Sequence, residues 1–263
     1  MRKVGYYFAM RTDVDIVARG PFAATRIAVR YSEANAPDQE ICVHIDTQWR
    51  QALAAARRAE RMLFNNLVAF LKSCKVAAGV LHLELAPTDY KTFLITTQRD
   101  RAWFTLHAPT AMTPALGNSI LLTHGNTAYL GVRSTTVAAY PRWAHLFGGV
   151  LDWPAQRNNG SQALSDHLYR ELEEELGISA DAFGAPPQAL AVLRDPELGQ
   201  PELVWHGELI APLELCGKAL DAREHDAILA VVLDQSAVTG PPRTPVSTAA
   251  INMVRNRRES AGS

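Results

Sequence analysis

Glu171, Glu174 and Glu175 fall at i, i+3 and i+4 in the run RELEEELGI. On a helix this spacing brings three carboxylates to about one turn, on an arc beside the apolar stripe of Leu164, Leu168, Leu172 and Leu176. Ser161 offers an oxygen to cap such a helix, and Gly177 is the residue type that ends one in a left-handed turn. Like charges this close repel by some tenths of a kcal/mol per i,i+4 pair unless something positive sits among them. Two readings follow: a solvated acidic face, or a site for a hard divalent cation. Carboxylate oxygens suit magnesium, which is typically shared between one or two protein carboxylates and substrate phosphates.

The whole string Arg170-Glu171-Leu172-Glu173-Glu174-Glu175-Leu176-Gly177-Ile178 resembles the second half of the Nudix hydrolase signature, R-E-U-x-E-E-x-G-U with U a bulky aliphatic, at every fixed position. The first half, G-x5-E-x7-R, is matched less closely. Gly148 and Gly149 are present, but twelve residues, Val150 to Ser161, separate Gly149 from Gln162 where the motif has five, and Gln162 stands where the family has Glu. Pro154, Asn158, Asn159 and Gly160 are turn formers, and a longer exposed loop costs little because closure entropy grows logarithmically with length. Gln162 retains the ability to hydrogen-bond the motif arginine, Arg170, without the charge.

The resemblance implies a magnesium site, with manganese as the alternative, built from Glu171, Glu174 and Glu175 with help from the Gly149 carbonyl. It implies catalytic roles for Glu175, Arg170 and Glu224, with Glu175 or Glu224 taking a proton from water. Glu224 precedes the last strand, where many family members carry such a residue; a surface glutamate in the charged run around Asp221, Arg223 and Asp226 is the bland alternative. The Gly148-Gly149 pair lets backbone approach a metal or phosphate. Arg194, at a strand end beside a turn, is a candidate to grip a diphosphate, or else to pair with a carboxylate such as Asp195.

Composition bounds the rest. The chain has 263 residues and a formal net charge of −1, which provides for a proper core and argues against a protein that coats nucleic acid. Cys42, Cys74 and Cys216 are widely spaced and odd in number, so they read as reduced thiols of a cytoplasmic protein. No apolar run reaches membrane-spanning length, and the first residues lack the basic-then-apolar order of a signal peptide. Oligomeric state is not encoded in any pattern found.

Residues 1–114 read as an α+β region. Strands are expected at Ile27 to Tyr31, at the run ICVHI (41–45), at Leu67 to Leu71 and at Val80 to Leu85, with a polar loop at Ser32 to Glu40. Trp49, Leu53, Ala56 and Leu63 recur at helical spacing, with Arg50, Arg57, Arg58 and Arg61 on a solvated face. His82 reads as a solvent-side strand residue. Thr88 or Asp89 is placed to cap a short helix in which Tyr90 and Phe93 share a buried side. This Thr-Asp-Tyr-Lys-Thr-Phe segment, ahead of a lengthened loop, is similar to one in a minor Nudix branch that hydrolyses UDP-glucose and UDP-galactose.

Residues 115–257 are expected to form the α/β/α sandwich with a mixed sheet that the resemblance implies, followed by a disordered tail at 258–263. Strands are predicted at Ser119 to Thr123 and Thr127 to Arg133 around a His124-Gly125-Asn126 turn, at Gln188 to Arg194, at Glu202 to Ile210, and as a buried strand at Ala227 to Leu233. A closing helix is expected over Thr244 to Arg257, with Pro245 in its first turn. The expected substrate is a small nucleoside diphosphate derivative, of the UDP-sugar kind, cleaved to UMP and a sugar 1-phosphate, with no nucleic-acid or membrane partner. ADP-ribose or dinucleotide hydrolysis, or nucleotide sensing without cleavage, are the alternatives.

Overall fold

The computed structural model describes residues 13–34, 37–59, 62–137, 139–153, 160–217, 220–234 and 240–262. Pro154, Asn158, Asn159 and Arg61 lie outside them. The chain runs β1 (Asp15–Ala23), β2 (Ile27–Tyr31), α1 (Gln39–Arg58), β3 (Leu67–Ala77), β4 (Val80–Asp89), α2 (Tyr90–Phe93) and α3 (Arg101–His107). It continues through β5 (Gly117–His124), β6 (Thr127–Arg133), β7 (Ala144–His145), β8 (Phe147–Val150), α4 (Gln162–Leu176), β9 (Gln188–Arg194) and β10 (Pro201–Glu208). A short α5 (Leu213–Cys216), β11 (His225–Val232) and α6 (Pro245–Gly262) complete it.

An eight-stranded mixed sheet carries the site, in the order β1-β9-β10-β5-β6-β11, with β8 on β5 and β7 on β6. Only β5 and β10 pair in parallel within it. The β5 run Ile120-Leu121-Leu122 is buried on both faces because a helix covers each. Ile120 and Leu122 join Leu164, Leu168, Leu172 and Leu176 of α4 in one core, and Leu121 joins Val246, Ala250, Ile251 and Val254 of α6 in another. The result is an α/β/α sandwich. Gly177 closes α4 with φ 66°, and its N–H reaches the Glu173 carbonyl, as a left-handed cap requires.

The amino-terminal region is not set apart at residue 114. Its β1 is an edge strand of the large sheet, hydrogen-bonded to β9. The remaining strands form a three-stranded sheet, β2-β4-β3, which sends Leu81, Leu83 and Leu85 into the same core as α4. That sheet also borders the site. The Ala69 N–H donates to the Leu151 carbonyl and the Leu116 N–H to the Ala69 carbonyl, tying β3 to the chain just after β8. Asp89 caps α2 by accepting from the Thr92 N–H at 2.7 Å, and the Tyr90 and Phe93 rings meet edge to face.

Several expectations change. The run ICVHI is the first part of α1, not a strand, because Ile41 and Ile45 pack inward with Trp49 and Ala52 at helical spacing while Val43 is 58% exposed. Ser161 makes no side-chain cap to α4. The apolar β11 is not a buried strand: it lies at the sheet edge beyond β6, and Ile228 and Val232 are each 38% exposed. Residues 258–262 continue α6 rather than forming a tail. Cys42, Cys74 and Cys216 are free thiols, and no helix among the described residues is long and apolar enough to cross a membrane.

Two predictions test this packing. Leu172 is fully buried between α4 and the sheet, so Leu172→Ala is expected to cost about 2–5 kcal/mol in denaturant unfolding. His206, bonded to the Thr123 hydroxyl at 2.8 Å, is held down to about 4 chiefly by burial. Its unfolded counterpart protonates more readily, so this residue removes stability as pH falls from about 6.5 toward 4. In His206→Gln the acid-side fall in thermal midpoint should be smaller than in the wild type.

Candidate active site

Gly148 and Gly149 lie opposite Ser119 and Asn118 where β8 pairs with β5. Gly148 has φ 124°, and a Cβ there would sit 2.4 Å from the Asn118 carbonyl oxygen. Its N–H donates to Glu175 Oε2 at 2.9 Å. A Cβ on Gly149 would sit 2.6 Å from Glu171 Oε2. The glycines are therefore needed so that two carboxylates can close over bare backbone.

A buried polar chain holds α4 in this position. Trp205 Nε1 donates to Asn118 Oδ1 at 2.7 Å, and Asn118 Nδ2 donates to the Leu164 carbonyl at 2.9 Å. Asn118 Nδ2 also lies 3.3 Å from His167 Nδ1, and His167 Nε2 lies 3.1 Å from the Val150 carbonyl. One tautomer satisfies both contacts: Nδ1 accepts and Nε2–H donates. Burial holds His167 down to about 4, so the ring is neutral near pH 7 and brings no cation to Glu171 beside it.

The turn before β11 completes the cluster. The Asp221 N–H donates to the Glu175 carbonyl, the Glu224 and His225 N–H groups donate to the Asp221 carbonyl, and Ser134 N–H donates to the Glu224 carbonyl. Glu175, Glu224 and His225 then offer ligand atoms all within 4.8 Å of one another. Glu175 and His225 are 3% and 2% exposed, while Glu224 is open to solvent. Glu175 Oε1 and both His225 ring nitrogens have no hydrogen-bond partner among the described residues. Deep burial of unpaired polar atoms costs about 1–3 kcal/mol each, which marks this as a place built for something else.

Glu171 is raised to about 7, first by burial and further by Glu175, against the lowering effect of its Arg170 bond. Although its side chain reaches solvent, Glu224 is raised by partial desolvation of its carboxyl and by the neighbouring Glu175. Carboxylates so placed resist ionising together, and a bound cation would relieve them. The donor set of buried, partly unpaired carboxylate oxygens thus fits a divalent metal. Glu174 stands apart, its side chain 62% exposed and 3.8 Å from Arg170 Nε.

Arg170 does not meet Gln162. Its Nη2 donates to Asp152 Oδ2 at 2.7 Å and to Glu171 Oε1 at 3.1 Å, whereas Gln162 Nε2 donates to Asp166 one turn along. The loop supplies the carboxylate that the motif lacks at position 162, through Asp152 just after β8. Spacing alone cannot reveal this, because Asp152 is 18 residues from Arg170 and reaches it only through sheet pairing.

Arg133, at the end of β6, is the cation that sequence reading missed. Burial pulls its pKa down, while Glu224, Glu202, Glu175 and Tyr90 act to hold it up. Tyr90, raised by its own burial, lies within electrostatic reach of both Arg133 and Glu224, and it packs on the same small core as Val150 at the end of β8. Beneath the cluster, Glu202 accepts from Ser119 and lies 3.3 Å from His145 Nε2. Arg194 occupies the same end of the sheet two strands from β5, near Asp15 at 3.8 Å, and not paired with Asp195. Asp195 instead accepts from Tyr140 and from the N–H groups of Glu197 and Leu198.

No protein-family model matches the sequence, and no curated protein matches it. Among solved structures, a MutT Nudix hydrolase from Burkholderia pseudomallei is 21% identical with a TM-score of 0.40, over 54% of this chain and 98% of that one. An ADP-ribose pyrophosphatase from Streptococcus suis is 16% identical with a TM-score of 0.37, over 56% of this chain and 91% of its own. A UDP-X diphosphatase is 12% identical with a TM-score of 0.36, over 63% and 73%. These overlaps are too low to carry an activity or a substrate from those proteins to this one.

The Arg170 geometry is open to a double-mutant cycle. Asp152→Ala is expected to cost roughly 0.2–1 kcal/mol, and that loss should shrink in an Arg170→Ala background. Gln162→Glu should instead lower stability by a few tenths of a kcal/mol, since it sets a like charge one turn from Asp166. Coupling between positions 162 and 170, with none between 152 and 170, would contradict the arrangement.

Proposed function

We propose that this chain is a divalent-metal-dependent hydrolase of phosphoanhydrides, of the Nudix type. More narrowly, we infer that its substrate is a nucleoside diphosphate sugar of the UDP-glucose kind, cleaved to UMP and a sugar 1-phosphate. The observation that carries the reading is the enclosed Glu175 carboxylate, held by the Gly148 N–H on one oxygen, with no hydrogen bond on the other, and close to Glu224. The Arg-Glu-Leu-Glu-Glu-Glu-Leu-Gly-Ile signature on α4 and the α/β/α sandwich support the class. The Thr-Asp-Tyr-Lys segment supports the narrower assignment, since its Tyr90 adjoins the cluster.

The residues divide the work as follows. Glu175 and Glu171 supply the negative charge that holds the cation against the Gly148-Gly149 backbone, with Glu174 as an outer carboxylate. When bound, the cation neutralises non-bridging phosphate oxygens and makes water a better nucleophile. Arg133 faces the same space and offers N–H groups to the diphosphate; Arg194, farther along the sheet end, is placed for the distal part of the substrate. Glu224 is the carboxylate at the open side of the cluster, and its raised pKa suits it to take the proton of the attacking water. As water adds to phosphorus, the bridging P–O bond breaks and its electron pair leaves with the departing phosphate. Arg170 acts through Glu171 and Asp152 and positions the helix face.

Incubation with nucleotide sugars, ADP-ribose and dinucleotides, with both products identified, tests the assignment. Turnover of UDP-sugars should exceed that of the others and vanish with EDTA; activity indifferent to chelation would end the metal-hydrolase reading. Glu175→Gln preserves shape but removes a charge, and is expected to lower turnover about a hundredfold or more, on the order of 3 kcal/mol. Arg133→Ala should lower kcat/KM on the same substrate while leaving metal binding intact.

A further inference from the structure

We propose that His225 is a nitrogen ligand of the same cation, held jointly with Glu175 next to Glu224, so that the site takes a transition-series divalent ion of the manganese or zinc kind in preference to magnesium. The inference rests on the metal-dependent reading above and extends it to a residue that no part of the motif includes. His225 is 2% exposed, and its two ring nitrogens have no hydrogen-bond partner among the described residues. A buried imidazole with both nitrogens unbonded is costly, and a metal ion is one of the few partners that removes that cost.

The spacing of the two atoms suits coordination to a common ion. His225 Nε2 lies 3.3 Å from Glu175 Oε1, yet neither atom makes a hydrogen bond. Two donors each about 2.0–2.2 Å from a common ion at tetrahedral to octahedral angles stand roughly 2.9–3.5 Å apart, and this pair does. The ring is also fixed in direction. It stacks edge to face on Phe147 with centroids 5.4 Å apart, and it lies over Gly131, where a Cβ would come within 2.3 Å of Nδ1.

Backbone geometry aims the ring at Glu175. The pairing of β11 with β6 slips between His225 and Ala227, so Asp226 is the extra residue of a bulge. Bulges re-aim side chains, and here the first residue, His225, is buried while Asp226, Ala227 and Ile228 are exposed. The neighbouring His167 cannot serve in its place, because both of its nitrogens are engaged by Asn118 and the Val150 carbonyl. Imidazole nitrogen suits zinc and other late first-row ions far better than magnesium, which selects oxygen. A mixed set of two carboxylates and one imidazole therefore shifts preference away from magnesium.

The test uses manganese alone with the full-length protein, without turnover. Pulsed EPR of the bound ion should show coupling to a directly bonded nitrogen, and the pattern should change in protein grown with ¹⁵N-histidine. In His225→Asn, whose side chain is too short to reach, the nitrogen coupling should disappear and manganese affinity fall about tenfold or more, while magnesium affinity changes less than threefold. The ¹⁵N experiment needs no substitution, so it stands even where the variant is unstable. Manganese bound without nitrogen coupling would overturn the His225 assignment and leave the hydrolase reading in place. Manganese not bound at all would overturn both.

Discussion

A carboxylate buried without full hydrogen bonding is hard to place in a protein, and Glu175 is such a group. One oxygen is held by the Gly148 N–H, and the other faces His225 and the turn that carries Glu224. Everything nearby is arranged to tolerate this. Gly148 adopts a conformation closed to other residues, Gly149 leaves room for Glu171, and Gly131 leaves room for the imidazole. Removing a charge from water costs several kcal/mol even after relaxation, so a fold that maintains this placement needs a compensating ion or function.

Rigidity around the cluster comes from polar contacts inside the core. Asn118 sits at the join of β5, β8 and α4 and bonds to Trp205, to the Leu164 carbonyl and to the neutral His167. Buried amides of this kind specify one arrangement, because sliding α4 along the sheet would break the bonds of Asn118 to the Leu164 carbonyl and to His167 together. The leucine stripe alone would tolerate such a slide, since apolar packing is non-directional. Position thus comes from polar bonds and adhesion from the leucines.

The amino-terminal region is part of this construction. Its β1 extends the large sheet, and its β3 is stitched to Leu151 just after β8 and to Leu116 just before β5. Through α2 it brings Tyr90 toward Arg133 and Glu224. On the proposed reading, a region that approaches the cluster from outside α4 would shape which substrate fits, whereas α4 would supply the chemistry.

Local spacing alone determined α4, its buried leucines, its left-handed cap at Gly177, and most strands of the large sheet, since helical and strand periodicities act over a few residues. Helical spacing also gathered Glu171 and Glu175 on one arc, the family resemblance singled out Glu224, and of the two expected caps, Thr88 or Asp89, the structure uses Asp89. Local spacing failed where the answer lay in long-range contacts. The ICVHI run alternates like a strand, and the distant partners Ile95 and Phe104 are what Ile41 and Ile45 pack with once it is helical; the apolar β11 looks buried until its place at the sheet edge is known. Asp152 for Arg170, and Arg133 and His225 for the acidic cluster, are unmarked in the sequence. Those partners are separated along the chain and meet only through strand pairing and one bulge, so tertiary structure alone decided them.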